Sequence, residues 1–180
     1  MGFALAEALA DAGATITLVT GPSSYETHYK HVTVHRVQEA EAMFQACAEV
    51  FPTADGAILA AAVADFRPAH KQQQKIKKHG QKTYSLQLEA TPDILAYLGS
   101  IKKANQILVG FSLETDNALA HARAKLQNKN LDLVVLNQLD HNHSNFGENP
   151  LAVTLINQTG TEISYQAQSK AQVAEQIAHH

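Results

Sequence analysis

The chain has one cysteine, Cys47, and no tryptophan among its 180 residues. A lone thiol excludes an internal disulfide and any multi-cysteine metal site. Its place beside Met43 and Phe44 in a helical pattern suits a small buried hydrophobe better than a nucleophile. No apolar run reaches the roughly 18 residues of a membrane span, and the N-terminus lacks the basic region of a signal peptide. A reducing, cytoplasmic setting is therefore the expectation. Charge of neither sign dominates: 14 Lys and Arg face 17 Asp and Glu, for a net charge of -3. That balance, with a pI near 6.3, argues against a dedicated nucleic-acid binder. No G-x-G-x-x-G and no Tyr-x-x-x-Lys occurs, which weighs against a nicotinamide-dependent oxidoreductase. The ten histidines are scattered; His141-Asn-His143 and His179-His180 suit adventitious metal binding, and a structural metal site is not expected.

What is present is an alternation of helical and strand patterns over a length that suits one domain. Apolar spacing and alanine content predict a helix from Met1 toward Gly13, with Gly13 as its left-handed stop. Strands are expected at Thr15–Thr20 and His31–Val37, and an amphipathic helix at Glu39–Phe51 ended by Pro52. A buried strand follows at Ala57–Ala64, and a strand or hairpin arm at Thr83–Leu88. In Thr91-Pro92-Asp93, Thr91 is read as the N-cap of the next helix, with Pro92 at its first position. Further strands are expected at Gln106–Phe111 and Leu131–Leu136 around a helix at Asp116–Lys129. A polar loop over Asn137–Pro150 leads to a hairpin, Leu151–Ile156 with Thr161–Tyr165. Ser169 caps a last helix. The class that results is α/β: a Rossmann-like, doubly wound, mostly parallel sheet with a C-terminal β-hairpin extension. The chain opens inside a helix with no strand before it, so the first central strand of such a sheet is expected to be missing from this chain.

One stretch reverses the sign of the charge. Ile58 to Lys78 reads as an apolar, alanine-rich strand, then Asp65, then Arg67-Pro68, where proline is expected to stop the ladder. Lys71, Lys75, Lys77, Lys78 and Lys82 follow, and no acidic residue occurs between Asp65 and Glu89. At the carboxyl end of a strand, where open α/β sheets bind ligands, a mobile basic loop suits a polyanion such as a nucleotide phosphate chain. The same lysines also suit a solvated loop that keeps the protein soluble. Ala61 and Ala62 would let a ligand approach the backbone closely, or are plain strand core.

These residues carry a resemblance. The elements Met1-Gly-Phe-Ala-Leu-Ala-Glu-Ala, Val19-Thr-Gly-Pro22, Ala61-Ala-Val-Ala-Asp-Phe-Arg-Pro68, Lys75-Ile-Lys-Lys78, Thr91-Pro-Asp-Ile94, Val109-Gly-Phe-Ser-Leu-Glu-Thr115, Asn130-Leu-Asp-Leu133 and Phe146-Gly resemble bacterial phosphopantothenoylcysteine synthetase, in order and across the chain. The resemblance implies a single ligase domain over residues 1–180 that joins 4'-phosphopantothenate to cysteine. The route is an acyl-cytidylate, with CTP as substrate and Mg²⁺ as its ion. It implies Lys75 as the essential nucleotide-binding and catalytic lysine. Asp65, Phe111, Lys125 and Lys129 are implied nucleotide contacts, with Thr91, Pro92, Asp93 and Ile94 as a helix N-terminus lining the site. Most relatives have asparagine where this chain has Thr91. The family's preceding strand and its N-x-S-S-G-K segment, with the asparagine that handles the intermediate, are not found, so the chain is expected to be an N-terminally truncated form with little activity alone. A homodimer through residues 146–165 is implied, as is fusion in relatives to a flavin-dependent phosphopantothenoylcysteine decarboxylase.

Overall fold

The computed structural model describes residues 1–180 except 71, 73, 78–81, 115 and 139–149, and the side chain of 138. Lys71, Lys78, His79, and the loop with His141, His143 and Phe146 thus lie outside the described residues. In chain order the elements are α1 (Gly2–Asp11), β1 (Ile16–Thr20), β2 (Val32–Arg36), α2 (Ala40–Val50), β3 (Gly56–Leu59), β4 (Phe66–Pro68), β5 (Leu88–Ala90), α3 (Ile94–Ile101), β6 (Ile107–Glu114), α4 (Ala118–Asn128), β7 (Leu133–Gln138), β8 (Leu151–Asn157), β9 (Glu162–Gln168) and α5 (Lys170–Ala178).

Five strands form the main sheet in the order β3-β6-β7-β8-β9, with β3, β6 and β7 parallel and β8 and β9 antiparallel. Strand alternation divides its side chains between two cores. Leu108, Val134, Leu136 and Ile156 enter one, with Met43 of α2, Leu95 and Leu98 of α3, and Ala122 and Leu126 of α4. Val109, Val135, Val153 and Leu155 enter the other, with Leu5 of α1 and Val173 and Ile177 of α5. Helices therefore cover both faces, which is the doubly wound, mostly parallel α/β architecture with a terminal hairpin that the pattern predicts. β1 and β2 form a separate parallel pair. Val19 of β1 packs against the same core as Ala57 and Leu59 of β3, yet no ladder among the described residues joins β1 to β3. Cys47 packs against that core too, and burial raises its thiol pKa.

Termini follow local chemistry. Gly13 has φ 94 just beyond α1, the left-handed stop. Ser169 and Gln172 form a reciprocal capping box on α5. Buried Gln106 is fully engaged: its amide donates to the carbonyls of Phe51 and Ala54, and its oxygen accepts from Lys103 N. This pins the turn before β3 to the start of β6. Lys102 Nζ lies 2.7 and 2.9 Å from the two oxygens of Asp132, which also accepts from Leu108 N.

Three expectations are corrected. The strand expected over Ala57–Ala64 ends at Leu59; among the described residues β3 pairs with β6 alone, and small alanines gain little from strand packing. The arm expected at Thr83–Leu88 is the three-residue β5, paired antiparallel with β4. Pro68 does not stop a ladder, because a two-stranded ribbon has free edges where a missing N–H costs nothing.

Helix α3 rests on the turn after α4. A Cβ at Gly99 would collide with the Lys129 carbonyl, and Asn130, in the left-handed region at φ 52, donates from Nδ2 to Gly99 O at 2.9 Å. Gly99→Ala is expected to destabilise the fold by about 3 kcal/mol through overpacking, read from the midpoint of urea unfolding.

Candidate functional site

Backbone carbonyls and carboxylates gather where β3 and β6 end, the edge at which such sheets take ligands. After β3 the chain passes, without helix or strand, through Ala61 and Ala62, both exposed, to exposed Asp65. Thr91 then ties this segment to α3: its hydroxyl donates to Ala64 O and its N–H to Asp65 O, the latter at 2.9 Å. Thr91 is thus not the helix cap, and Pro92 is not the first helical residue. Asp93 takes the cap, its Oδ1 accepting from Ala96 N at 2.9 Å, because a carboxylate directly before the turn reaches that N–H and Thr91 is already spent. The capped helix begins with Ile94, whose side chain is buried, so Ile94 can meet a ligand only through its backbone. The N–H groups of Ile94 and Leu95 have no partner within the helix by α-helical geometry, and they carry the positive end of its dipole.

Opposite stands α4. Lys125, in its last turn, and Lys129, at its C-cap, both point to the rim as their spacing of four predicts. Lys125 Nζ donates to Phe111 O at 2.7 Å. Lys129 Nζ sits 2.7 Å from Asp93 Oδ2. Phe111 is half-buried in β6, its side chain against the core of α1 and α5. Burial, and then the charge of Lys129, lower the Lys125 ammonium pKa, offset in part by Glu114, Asp93 and Asp65. For Asp93, burial pushes the carboxyl up, but hydrogen bonds from Lys129 and Ala96 N and the charges of Lys129 and Lys125 outweigh it, so it lies below the ordinary carboxylate value.

The structure therefore brings together Asp65, Thr91, Pro92, Asp93, Ile94, Phe111, Lys125 and Lys129, with Ala61 and Ala62 in the same segment as Asp65. It does not bring Lys75 to them. Lys75 is exposed in a stretch without helix or strand, and no hydrogen bond or ion pair joins it to another described residue. Residues not singled out beforehand also stand at the rim. Glu114 ends β6, accepting from buried Ser112 Oγ at 2.9 Å and pairing with His121 Nδ1 at 3.2 Å. The signal was available: a carboxylate closing a buried strand, and a histidine four residues before Lys125. Among the described residues no cluster of three or more His, Cys, Asp or Glu could hold a metal, and no helix is long and apolar enough to cross a membrane.

The whole chain, residues 1–180, matches the family model described as DNA/pantothenate metabolism flavoprotein C-terminal domain. It is 42% identical over 177 residues to a prokaryotic protein of unknown organism named cysteine/cysteine sulfinic acid decarboxylase, covering 98% of this chain and 49% of that protein. It is 40% identical over 177 residues to the coenzyme A biosynthesis bifunctional protein CoaBC of Bacillus subtilis, covering 98% and 43% respectively. The chain thus spans about half the length, or less, of these curated relatives. The solved C-terminal domain of a CoaBC protein superposes with a TM-score of 0.80 at 32% identity, over 99% of this chain and 78% of that one. The Streptococcus pneumoniae DNA/pantothenate metabolism flavoprotein, at 20% identity and TM-score 0.76 over 98% and 84%, shares the fold.

Asp93 has two roles that substitution can separate. Asp93→Asn keeps the cap, since asparagine caps as well as aspartate, and loses only an exposed ion pair, worth less than about 1 kcal/mol. Asp93→Ala is expected to cost about 1 kcal/mol at neutral pH. A depressed folded-state pKa means the carboxylate's contribution is present above the unfolded value, near ~4, and is lost as pH falls through the folded one. The gap between wild type and Asp93→Ala should accordingly close in acid, as measured by unfolding at stepped pH.

Proposed function

We propose, from the premise that the chain belongs to the DNA/pantothenate metabolism flavoprotein C-terminal domain family, that it performs the ligation of coenzyme A biosynthesis, joining 4'-phosphopantothenate to cysteine at the expense of CTP. The observation that carries this reading is the convergence of Lys125, Lys129 and the start of α3 on the carboxyl ends of β3 and β6. Two ammonium groups and a helix N-terminus in one place are chemistry for a polyphosphate. For that reason the coenzyme A biosynthesis in the name of the CoaBC relatives is carried over, rather than the decarboxylation in the name of the other relative.

In the first step the pantothenate carboxylate attacks the α-phosphate of CTP, giving acyl-cytidylate and pyrophosphate. Two anions meet, so neutralising charge dominates the barrier. Lys125 and Lys129 exchange their internal acceptors, the Phe111 carbonyl and the Asp93 carboxylate, for phosphate oxygens. Lys75 comes down with its basic segment onto the triphosphate as the catalytic cation, a closure that also excludes water. Phe111 lies beside the cytosine, and Ala61 and Ala62 leave room for the nucleotide against the backbone. In the second step the amine of cysteine attacks the acyl carbon and CMP leaves. Mg²⁺ commonly takes one or two carboxylates together with substrate phosphates. At this site Asp65 would hold the ion together with the nucleotide phosphates, and the ion would supply charge neutralisation. The other half of the CoaBC relatives, on this reading, is the flavin-dependent decarboxylase that consumes the ligation product.

Isothermal titration of the chain with Mg²⁺ and CTP tests the site. Lys125→Met, which removes a charge-assisted hydrogen bond worth about 1.5–3 kcal/mol, should weaken CTP at least tenfold without abolishing folding. Stabilisation by NAD(P) in place of CTP, or equal CTP affinity in the variant, would overturn the assignment.

A further inference from the structure

His121, Lys125 and Lys129 follow one another along α4 at a spacing of four, which puts them on one face of the helix. Each has an acceptor at the rim: Glu114 for His121, the Phe111 carbonyl for Lys125 and Asp93 for Lys129. The two lysines suit phosphate. The first position differs, because a protonated His121 and Glu114 make a pair of opposite charges 3.2 Å apart beyond the end of β6.

That pair is anchored from the interior. Ser112 is 1% exposed, and its hydroxyl donates to Glu114 Oε1 at 2.9 Å. One carboxylate oxygen is thereby fixed, and the other, Oε2, is turned to His121 Nδ1. The backbone beneath the ring is equally settled, with His121 N–H donating to Asn117 O at 3.0 Å. Both side chains nevertheless reach solvent, Glu114 at 27% exposure and His121 at 58%. Since Nδ1 faces Glu114, Nε2 is the nitrogen that a ligand meets.

The arrangement selects a ligand by its charges. A simple anion at His121 is repelled by Glu114. A simple cation at Glu114 is repelled by the protonated ring and by Lys125, which lies close enough for Glu114 to raise its ammonium pKa. A molecule with an ammonium and a carboxylate on one carbon replaces both partners at once and leaves no charge uncompensated. A free α-amino acid has that form.

We propose that Glu114 and His121 form a subsite for the zwitterionic end of an amino acid, Glu114 accepting from the ammonium and His121 Nε2 donating to the carboxylate. The inference rests on the ligation reading, in which cysteine is the amino-acid substrate, and adds the place where cysteine is held. That place is about one helical turn along α4 from Lys125, beside the end of β6 where the activated acyl group forms. Ser112, Glu114 and His121 are already arranged without ligand, so binding does not wait for the nucleotide.

Chemical-shift titration of the isotope-labelled 180-residue chain with L-cysteine, under reducing conditions, tests the subsite. Only a protonated imidazole donates from both nitrogens, so the titration is run near ~pH 6, within the range where histidine is charged. L-cysteine should move the His121 ring signals and saturate. Cysteamine, which lacks the carboxylate, and mercaptopropionate, which lacks the ammonium, should each bind at least tenfold more weakly, the loss of one charge-assisted hydrogen bond. Glu114→Gln and His121→Gln, followed by backbone amide signals, should weaken L-cysteine to the same degree; the analogue series on wild type needs no variant to fold. An unmoved His121 ring, analogues that bind as well as L-cysteine, or folded variants of wild-type affinity would each overturn the proposal. Titrating CTP into the same samples separates the two readings. A chain that binds CTP but not L-cysteine loses this subsite and keeps the nucleotide assignment, while one that binds L-cysteine but not CTP keeps the amino-acid site and loses the nucleotide assignment.

Discussion

The close seating of α3 on the turn after α4 is the constraint from which the site follows. A hydrogen at Gly99 in place of a side chain lets the helix come down onto the Lys129 carbonyl, and Asn130 closes the contact from the other side. The last turn of α3 and the turn after α4 are thereby held together, and the long Lys129 side chain reaches back along α3 to Asp93 at its start. Both helices lie on the same apolar layer over β6 and β7, with Leu95, Leu98 and Leu126 in a common core. The geometry of a polar site is in this way set by apolar packing beneath it.

Electrostatically the rim is balanced before any ligand arrives. Lys129 is occupied by Asp93 and Lys125 by a backbone carbonyl, while Asp65 and Glu114 act on Lys125 from a distance. An anion entering the site exchanges partners rather than meeting bare cations, so its net gain is smaller than the Coulomb attraction alone suggests. This places weight on the basic segment after β4, whose lysines have no carboxylate within their own stretch of chain. Body and ribbon then hold different parts of one charge distribution. On the proposed reading the body would orient a nucleotide, and the basic segment would supply the excess positive charge.

The β4–β5 ribbon is joined to the body by charge. Arg67 ties it to α2 through Glu41, while Phe66 and Leu88 are left to solvent in the single chain. An isolated two-stranded ribbon is marginal in water, so these short strands depend on that tie to the body.

Local sequence determined much of this protein. The alternation of helices and strands, the stop at Gly13, the cap at Ser169 and the facing pair Lys125 and Lys129 all rest on interactions within a few residues of chain, which is the range that spacing and propensity describe. Tertiary structure decided the rest. Whether residues 60 to 64 stay in a strand depended on which neighbours were present to pair with them. Whether Thr91 or Asp93 caps α3 depended on the Ala64 carbonyl, far off in sequence, claiming the threonine hydroxyl. Pro68 entered a ladder because its partner was a lone strand, and Glu114 and His121 joined the rim only when β6 and α4 were laid side by side. In each case the deciding partner lies outside the local stretch that a reading of spacing can reach.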